Sequence, residues 1–348
     1  MYPDLSNPGY GSFVKNVVEG LSHYGIDCKY SAVIIGRPSL IFDKLFKYIK
    51  FYFCILKNYF KDYDFVYIHY PNHALPCLLP CFLLKKRRII VNLHGEDLLY
   101  KRKGLSLLLG SLNDFFLKKV DAIVVPSNYF RNIVFERLSG NVKKVIVSPS
   151  GGIDPNKFFP KLFVKNGNSI IHLGYVGRID PNKGWKEFIE AISLLPESLD
   201  FQVSIIGYGS EIEELRMYLS KMNSTKIEYI SKVEQGNLRE YYSQFDLLIF
   251  PSTRTTESLG LVGLEAMACG TPVIGSDIGG IPSYLKHKYN GFLVAPGNIK
   301  QIAEYILEYC QLDISQKELY YRNCIETSKS YFSEKVIHDL AVSFTLLI

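Results

Sequence analysis

Several things are missing from this 348-residue sequence, and each absence narrows what it can be. No apolar run reaches the roughly 20 residues that a membrane-spanning helix needs. The best candidate, 74–84, holds two prolines and stops at Lys85-Lys86-Arg87-Arg88. No paired CxxC steps occur. The seven cysteines are an odd number, and Cys77-x3-Cys81 is interrupted by Pro80, so neither a zinc site nor a disulfide framework is expected. Free thiols in a chain of this size fit a reducing cytosol. Met1-Tyr2-Pro3-Asp4 is not a basic start to an apolar stretch, so no secretory leader is expected. There is no internal repeat, no low-complexity tract and no recognisable nucleic-acid motif, which argues against nucleic acid as a partner.

What is there suits two ordinary domains. Hydrophobic residues make up 47%, enough for full cores, and 21% charged residues argues against long disorder. The net charge of +6 hides an asymmetry: residues 1–165 carry 24 Lys and Arg against 12 Asp and Glu, and residues 166–348 carry 16 against 22. A basic half beside an acidic half suggests that one side faces an anionic surface.

Periodicity gives the elements. A glycine-rich turn at 7–11 precedes a helix over 12–24, whose apolar face is Phe13, Val14, Val17, Val18 and Leu21. Strands are expected over 28–35, 65–69, 88–93, 121–125 and 145–147, and again over 170–176, 201–206, 227–230, 245–250, 272–276 and 292–294. Such a turn ordinarily follows a strand, yet only Met1 and Tyr2 precede Pro3. The first strand of the domain is therefore expected to be missing, and the native start to lie about ten residues upstream. The segment 44–61 mixes five lysines with seven aromatics. As a helix it is basic and amphipathic, suited to an anionic membrane surface or to plain core packing with solvated lysines. The tract 160–168 reads as a linker, giving domains of 1–163 and 164–328 and a terminal segment, 329–348. His69 and His73 have the spacing of a metal pair, but Pro71 between them spoils a helix, and a structural role is preferred.

The most informative stretch is 250–273. A buried strand ends at Pro251-Ser252, a loop follows, and a helix over 259–269 is closed by Gly270. Ser258, Leu259 and Gly260 offer free amides at the helix start, where anions bind. Glu257 and Glu265 flank that cradle with seven residues between them. Carboxylates so close to a phosphate site bind hydroxyls more readily than phosphate, and a ligand with diphosphate and polyol parts satisfies both. Ahead of it, Arg178 of Gly177-Arg178 can fork onto a diphosphate and Lys183 can supply a point charge. His94 ends a buried-type strand, where open parallel sheets bind ligands.

Glu257-x7-Glu265 followed by GLEAMACGTPVI, together with Gly177-Arg178 and Lys183-Gly184 in YVGRIDPNKGW, resembles the donor-site signature of family 4 of the retaining, two-domain glycosyltransferases. The resemblance covers most of the chain. It implies an α/β fold of the GT-B type, with two doubly wound, Rossmann-like domains facing across a cleft. Arg178, Lys183 and the amides of Ser258, Leu259 and Gly260 would then stabilise the departing nucleoside diphosphate. Glu265 would bind ribose hydroxyls, Glu257 the sugar, and His94 would lie near the reacting centre. Gly9, Gly11, Gly177 and Val233 would complete the donor site. Val233 stands where family members carry a glycine, which leaves base recognition open.

The resemblance further implies a nucleotide-sugar donor as substrate, with no cofactor and no metal, because protein cations take the metal's place. The expected acceptor is a lipid-linked glycan of surface-polysaccharide assembly (O-antigen or capsule), met at the inner face of the cell membrane by a cytoplasmic, peripheral enzyme. A nucleotide-sugar epimerase would need further acid/base groups. A non-catalytic scaffold subunit of the same fold is the main alternative.

Overall fold

A computed structural model of the chain describes residues 2–3, 11–36, 41–99, 105–163, 170–222 and 226–348. It divides into two compact units, Met1–Gly152 with Glu334–Ile348, and Ile153–Ser333.

The first unit is built on a parallel sheet of strands β1 (Val66–His69), β2 (Ile89–Asn92), β3 (Ala122–Val125) and β4 (Val145–Val147), in that order. Ile68 stands opposite Val91, Val91 opposite Ile123, and Ile123 opposite Val145. Successive side chains point to opposite faces, and here both faces are covered, so the strands read as unbroken apolar runs. Ile89, Val91, Ile123 and Val125 pack under helices Ile41–Tyr59, Pro71–Leu84 and Asn128–Arg137. Ile90, Ala122 and Val124 pack on the other face against Val17 and Leu21 of helix Ser12–Ser22 and Leu340 and Phe344 of the C-terminal helix Ser333–Thr345.

Two expectations need correction here. Residues 28–35 do not form a strand. Ile35 alone makes a parallel bridge, to Tyr2, whose N–H bonds Ile34 and whose carbonyl accepts from Gly36. A strand exists only through its ladder, and one residue supports one rung. Pro71 does not spoil a helix but opens one, at the first helical position, where the missing N–H has no intrahelical partner to lose.

The second unit carries strands β5 (Ile171–Val176), β6 (Phe201–Ile206), β7 (Ile227–Ile230), β8 (Leu247–Phe250), β9 (Val273–Ser276) and β10 (Gly291–Val294). Their order is β10-β9-β8-β5-β6-β7, all parallel. The chain thus winds one way from β5 and then returns to its other side at β8. The switch point lies between β5 and β8, the place where doubly wound sheets bind ligands. The unit begins at Ile153 rather than at 164. Ile153 bridges Phe332, and its carbonyl and N–H bond Ser333 and Tyr331, while Phe158 is buried in the same core as Tyr242.

Candidate functional site

The loops that leave β5 and β8 meet at the switch point. Thr253 N–H donates to the Asn182 carbonyl at 3.0 Å, and Ser252 Oγ lies 3.3 Å from the same oxygen. Gly184 has φ +85°, and a Cβ there would fall 2.3 Å from the Pro251 carbonyl oxygen, so only glycine lets the two loops close. Across that contact Lys183 Nζ lies 2.8 Å from Glu257 Oε2, which also accepts Ser252 Oγ at 3.0 Å. Both members of the ion pair are largely buried, so removing either leaves an uncompensated charge, at a cost of about 3–5 kcal/mol.

Past Glu257 the chain is cradled from behind by Gly279 and Gly280, and Gly280 N–H donates to the Glu257 carbonyl at 3.0 Å. The helix itself is Leu261–Ala268, two residues later than expected, because Gly260 is its N-cap with φ 74°. Among the described residues the amides of Ser258, Leu259 and Gly260 donate to no protein group. Three unbonded amides at a helix start, beside a lysine, form a place for an anion.

Glu265 lies in that helix and is buried. Burial raises its pKa, and hydrogen bonds from Gln235 Nε2 (3.0 Å) and Tyr242 Oη (2.9 Å) partly offset the rise. Each carboxylate oxygen thus holds one protein donor and keeps a lone pair for a further hydroxyl. Arg178 follows Gly177 at the end of β5. Its side chain is half exposed, bonds Asp180 and lies 5.7 Å from the Tyr208 ring centre. Burial pushes Asp180 up, but bonds from Ser210 and Arg178 more than offset it and leave its pKa lowered. An exposed pair of this kind is weak, so Arg178 can exchange Asp180 for an incoming phosphate. Val233 is half-buried against the hydrophobic core in the loop after β7, two residues before Gln235.

In the first unit, His94 follows β2. Phe13 packs on its ring at 4.7 Å between centres and Tyr70 at 4.4 Å, and its N–H donates to Asp97 at 3.1 Å. His69, at the end of β1, meets it at 3.1 Å. Gly11, with φ 75°, caps the helix that carries Phe13. Gly9 lies outside the described residues. Burial holds His94 down at about 3, and lowers His69 as well. His73 does not pair with His69. It bonds Tyr48 Oη at 2.6 Å.

Three side chains that hold the site were not singled out in the sequence: Ser252 on Glu257, and Gln235 and Tyr242 on Glu265. His69, which meets His94, was noted for its spacing from His73 and given a structural role. An Asp-x-Asp spacing does occur, at Asp62-Tyr63-Asp64, and both aspartates are exposed. Among the described residues no three His, Cys, Asp or Glu side chains converge as for a metal ion.

Residues 157–327 match the family Glycosyl transferases group 1, and residues 18–156 match Glycosyltransferase Family 4. The chain is 25% identical over 289 residues to N-acetyl-alpha-D-glucosaminyl L-malate synthase of Bacillus anthracis, covering 80% of this chain and 73% of that one. Its fold is similar to that of sucrose-phosphate synthase from Thermosynechococcus elongatus, with a TM-score of 0.77 at 20% identity over 99% of this chain and 94% of that one. Anabaena HepE in complex with UDP gives a TM-score of 0.73 at 19% identity, over 99% and 98%. With one family domain following the other along nearly its whole length, and a pair of parallel α/β units of the matching architecture, this chain belongs to the GT-B glycosyltransferases.

Proposed function

We propose that the chain transfers a sugar, with retention at the anomeric carbon, from a nucleoside diphosphate sugar to a hydroxyl of a lipid-linked glycan in surface-polysaccharide assembly. The observation that carries the donor reading is the convergence in one unit of three unbonded amides, Lys183 and Arg178 with two buried carboxylates. Cationic groups and amides aimed at a diphosphate stabilise the charge that builds as the sugar departs. Glu265 keeps lone pairs for ribose hydroxyls, and Glu257, already bonded to Lys183 and Ser252, lies where the sugar would join the diphosphate. In the first unit, His94 is the residue that the resemblance assigns to the reacting centre. The diphosphate needs no metal in this reading, because Arg178 and Lys183 supply the positive charge. The retaining stereochemistry rests on the resemblance of the two motifs, and the polysaccharide acceptor on the basic, aromatic character of the first domain. The lipid surface rests on the open face of helix Ile41–Tyr59, where Phe42, Phe46 and Phe53 are exposed beside Lys44, Lys50 and Lys57. Among the described residues no helix is long and apolar enough to cross a membrane.

The test is a thermal-shift screen against UDP, GDP, ADP and CMP, with Arg178→Ala and Glu265→Ala alongside. A nucleotide at a hundred times its dissociation constant stabilises its domain by about 2.7 kcal/mol, a shift of several degrees. The expected result is a rise with one nucleoside diphosphate that both variants lose. No rise with any of the four sinks the donor reading and favours a non-catalytic scaffold.

A further inference from the structure

The contact between His69 and His94 fixes more than the position of either ring. Nδ1 of His69 lies 3.1 Å from Nε2 of His94, with ring centres 5.3 Å apart and planes 10° from parallel. A gap of 3.1 Å between facing nitrogens leaves little more than a ring radius on either side of that centre distance. The rings therefore meet edge to edge in nearly one plane, with a lone pair of one aimed at the hydrogen of the other. Burial keeps both imidazoles neutral, so a single proton serves this bond.

Its position follows from the outer nitrogens. Were the proton on His94 Nε2, His69 would carry its own hydrogen on Nε2, which is buried without a partner. Orphaned buried N–H groups are rarer than orphaned acceptors. With the proton on His69 Nδ1 instead, the orphan is a bare lone pair. His94 is then left with its hydrogen on Nδ1, which bonds no protein group among the described residues. Asp97 does not compete for the ring, since its Oδ2 accepts the His94 backbone N–H.

We propose that His69 is a positioning residue that fixes His94 as the Nδ1–H tautomer, making His94 a neutral hydrogen-bond donor to the bound substrate and barring it from general-base work. The inference rests on the reading of His94 as a site residue. Neither ring nitrogen of His94 is free to take a proton, because Nε2 is occupied by His69 and Nδ1 is already protonated.

Two measurements test it. In the full chain labelled with 15N-histidine, between about pH 6 and 8, His94 is expected to show a hydrogen on Nδ1 and a bare Nε2, and to revert toward the Nε2–H form in His69→Phe. A hydrogen on His94 Nε2 in the parent protein overturns the proposal. This arm needs no substrate, so it decides the tautomer even where the nucleotide screen fails. On turnover, His69→Asn places an amide N–H where Nδ1 stood, and His69→Gln places one where Nε2 stood. The Asn variant should keep kcat within about threefold and the Gln variant lose about tenfold or more, in kcat rather than KM. Equal rates for the two variants reject the positioning role.

Discussion

The second unit turns its polar residues inward upon a site, whereas the first turns apolar ones outward. Around β5 and β8, Lys183 meets Glu257, Gln235 and Tyr242 meet Glu265, and backbone packs against backbone at Gly184 and Gly280. Helix Ile41–Tyr59 of the first unit buries Phe51, Ile55 and Tyr59 and leaves Phe42 83%, Phe46 68% and Phe53 64% exposed. The two sheets are alike in construction, so the contrast lies in what each layer of helix and loop does with its free face. Tight mutual contact suits a site that must hold charge in place. An open apolar face suits a surface that finds its partner outside the chain.

The contrast breaks most sharply at Gly280. A Cβ there would stand 2.1 Å from the Ser258 carbonyl oxygen and 2.8 Å from the Leu259 Cα, and neither is a side chain that can step aside. Gly280→Ala should destabilise the second unit by about 1–3 kcal/mol and erase the nucleotide shift, because the Glu257 loop must move. Gly236, with nothing within 4 Å of its Cβ position, is the control. Gly236→Ala should stay within about 0.5 kcal/mol. Thermal unfolding of both variants reads the difference.

Acid should separate the units next. His94 sits at about 3 in the fold against an ordinary 6.5, so between those values the unfolded chain takes up protons that the folded chain does not. Stability therefore rises with pH in that window and falls on acidification, by about 2 kcal/mol at pH 5 for one such histidine. His69 acts in the same direction. Glu265 and Asp246, raised by burial, act in the opposite one: the fold takes up their protons first as the pH falls. The histidine pair should accordingly make the first unit lose stability on acidification. Taking the pH from 7 to 5 should lower its melting temperature by less in His94→Asn than in the parent.

The same contrast governs what the sequence discloses. The donor-side residues of the second unit stand in two short motifs, and a motif is a local arrangement that a linear reading can find. Strand-to-loop ends such as Phe250-Pro251 and Val176-Gly177 were legible because both sheet faces are buried and the apolar runs are continuous. The partners of those residues were not, since Gln235 reaches Glu265 across 30 residues and Tyr242 reaches it across 23. The first unit hid more. His69 ends β1 and His94 follows β2, 25 residues apart, and the two become a pair only through the register of β1 on β2. The strand expected at 28–35 failed for a related reason: its pattern is apolar enough, but a ladder needs a partner that local sequence does not describe.

The smallest effect on stability is expected on the open helix, and there the reading of the first unit is most exposed to test. Phe46 and Phe53 have little native packing to lose, so Phe46→Ser with Phe53→Ser should change stability by no more than about 0.5 kcal/mol per site and leave the nucleotide shift intact. Binding to anionic vesicles is a different matter. Inserting one phenylalanine is worth about 1.5–3 kcal/mol, and each lysine near an anionic surface about 1 kcal/mol. The double variant should therefore lose most of its vesicle-bound fraction while folding normally. In the parent, the bound fraction should fall as salt is raised, because the Debye length shrinks to about 3 Å at 1 M. Equal binding to neutral and anionic vesicles would remove the charge from the argument and leave Lys44, Lys50 and Lys57 as ordinary solvated side chains. Unchanged binding by the double variant would remove the apolar face as well, and with it the lipid surface proposed for the acceptor.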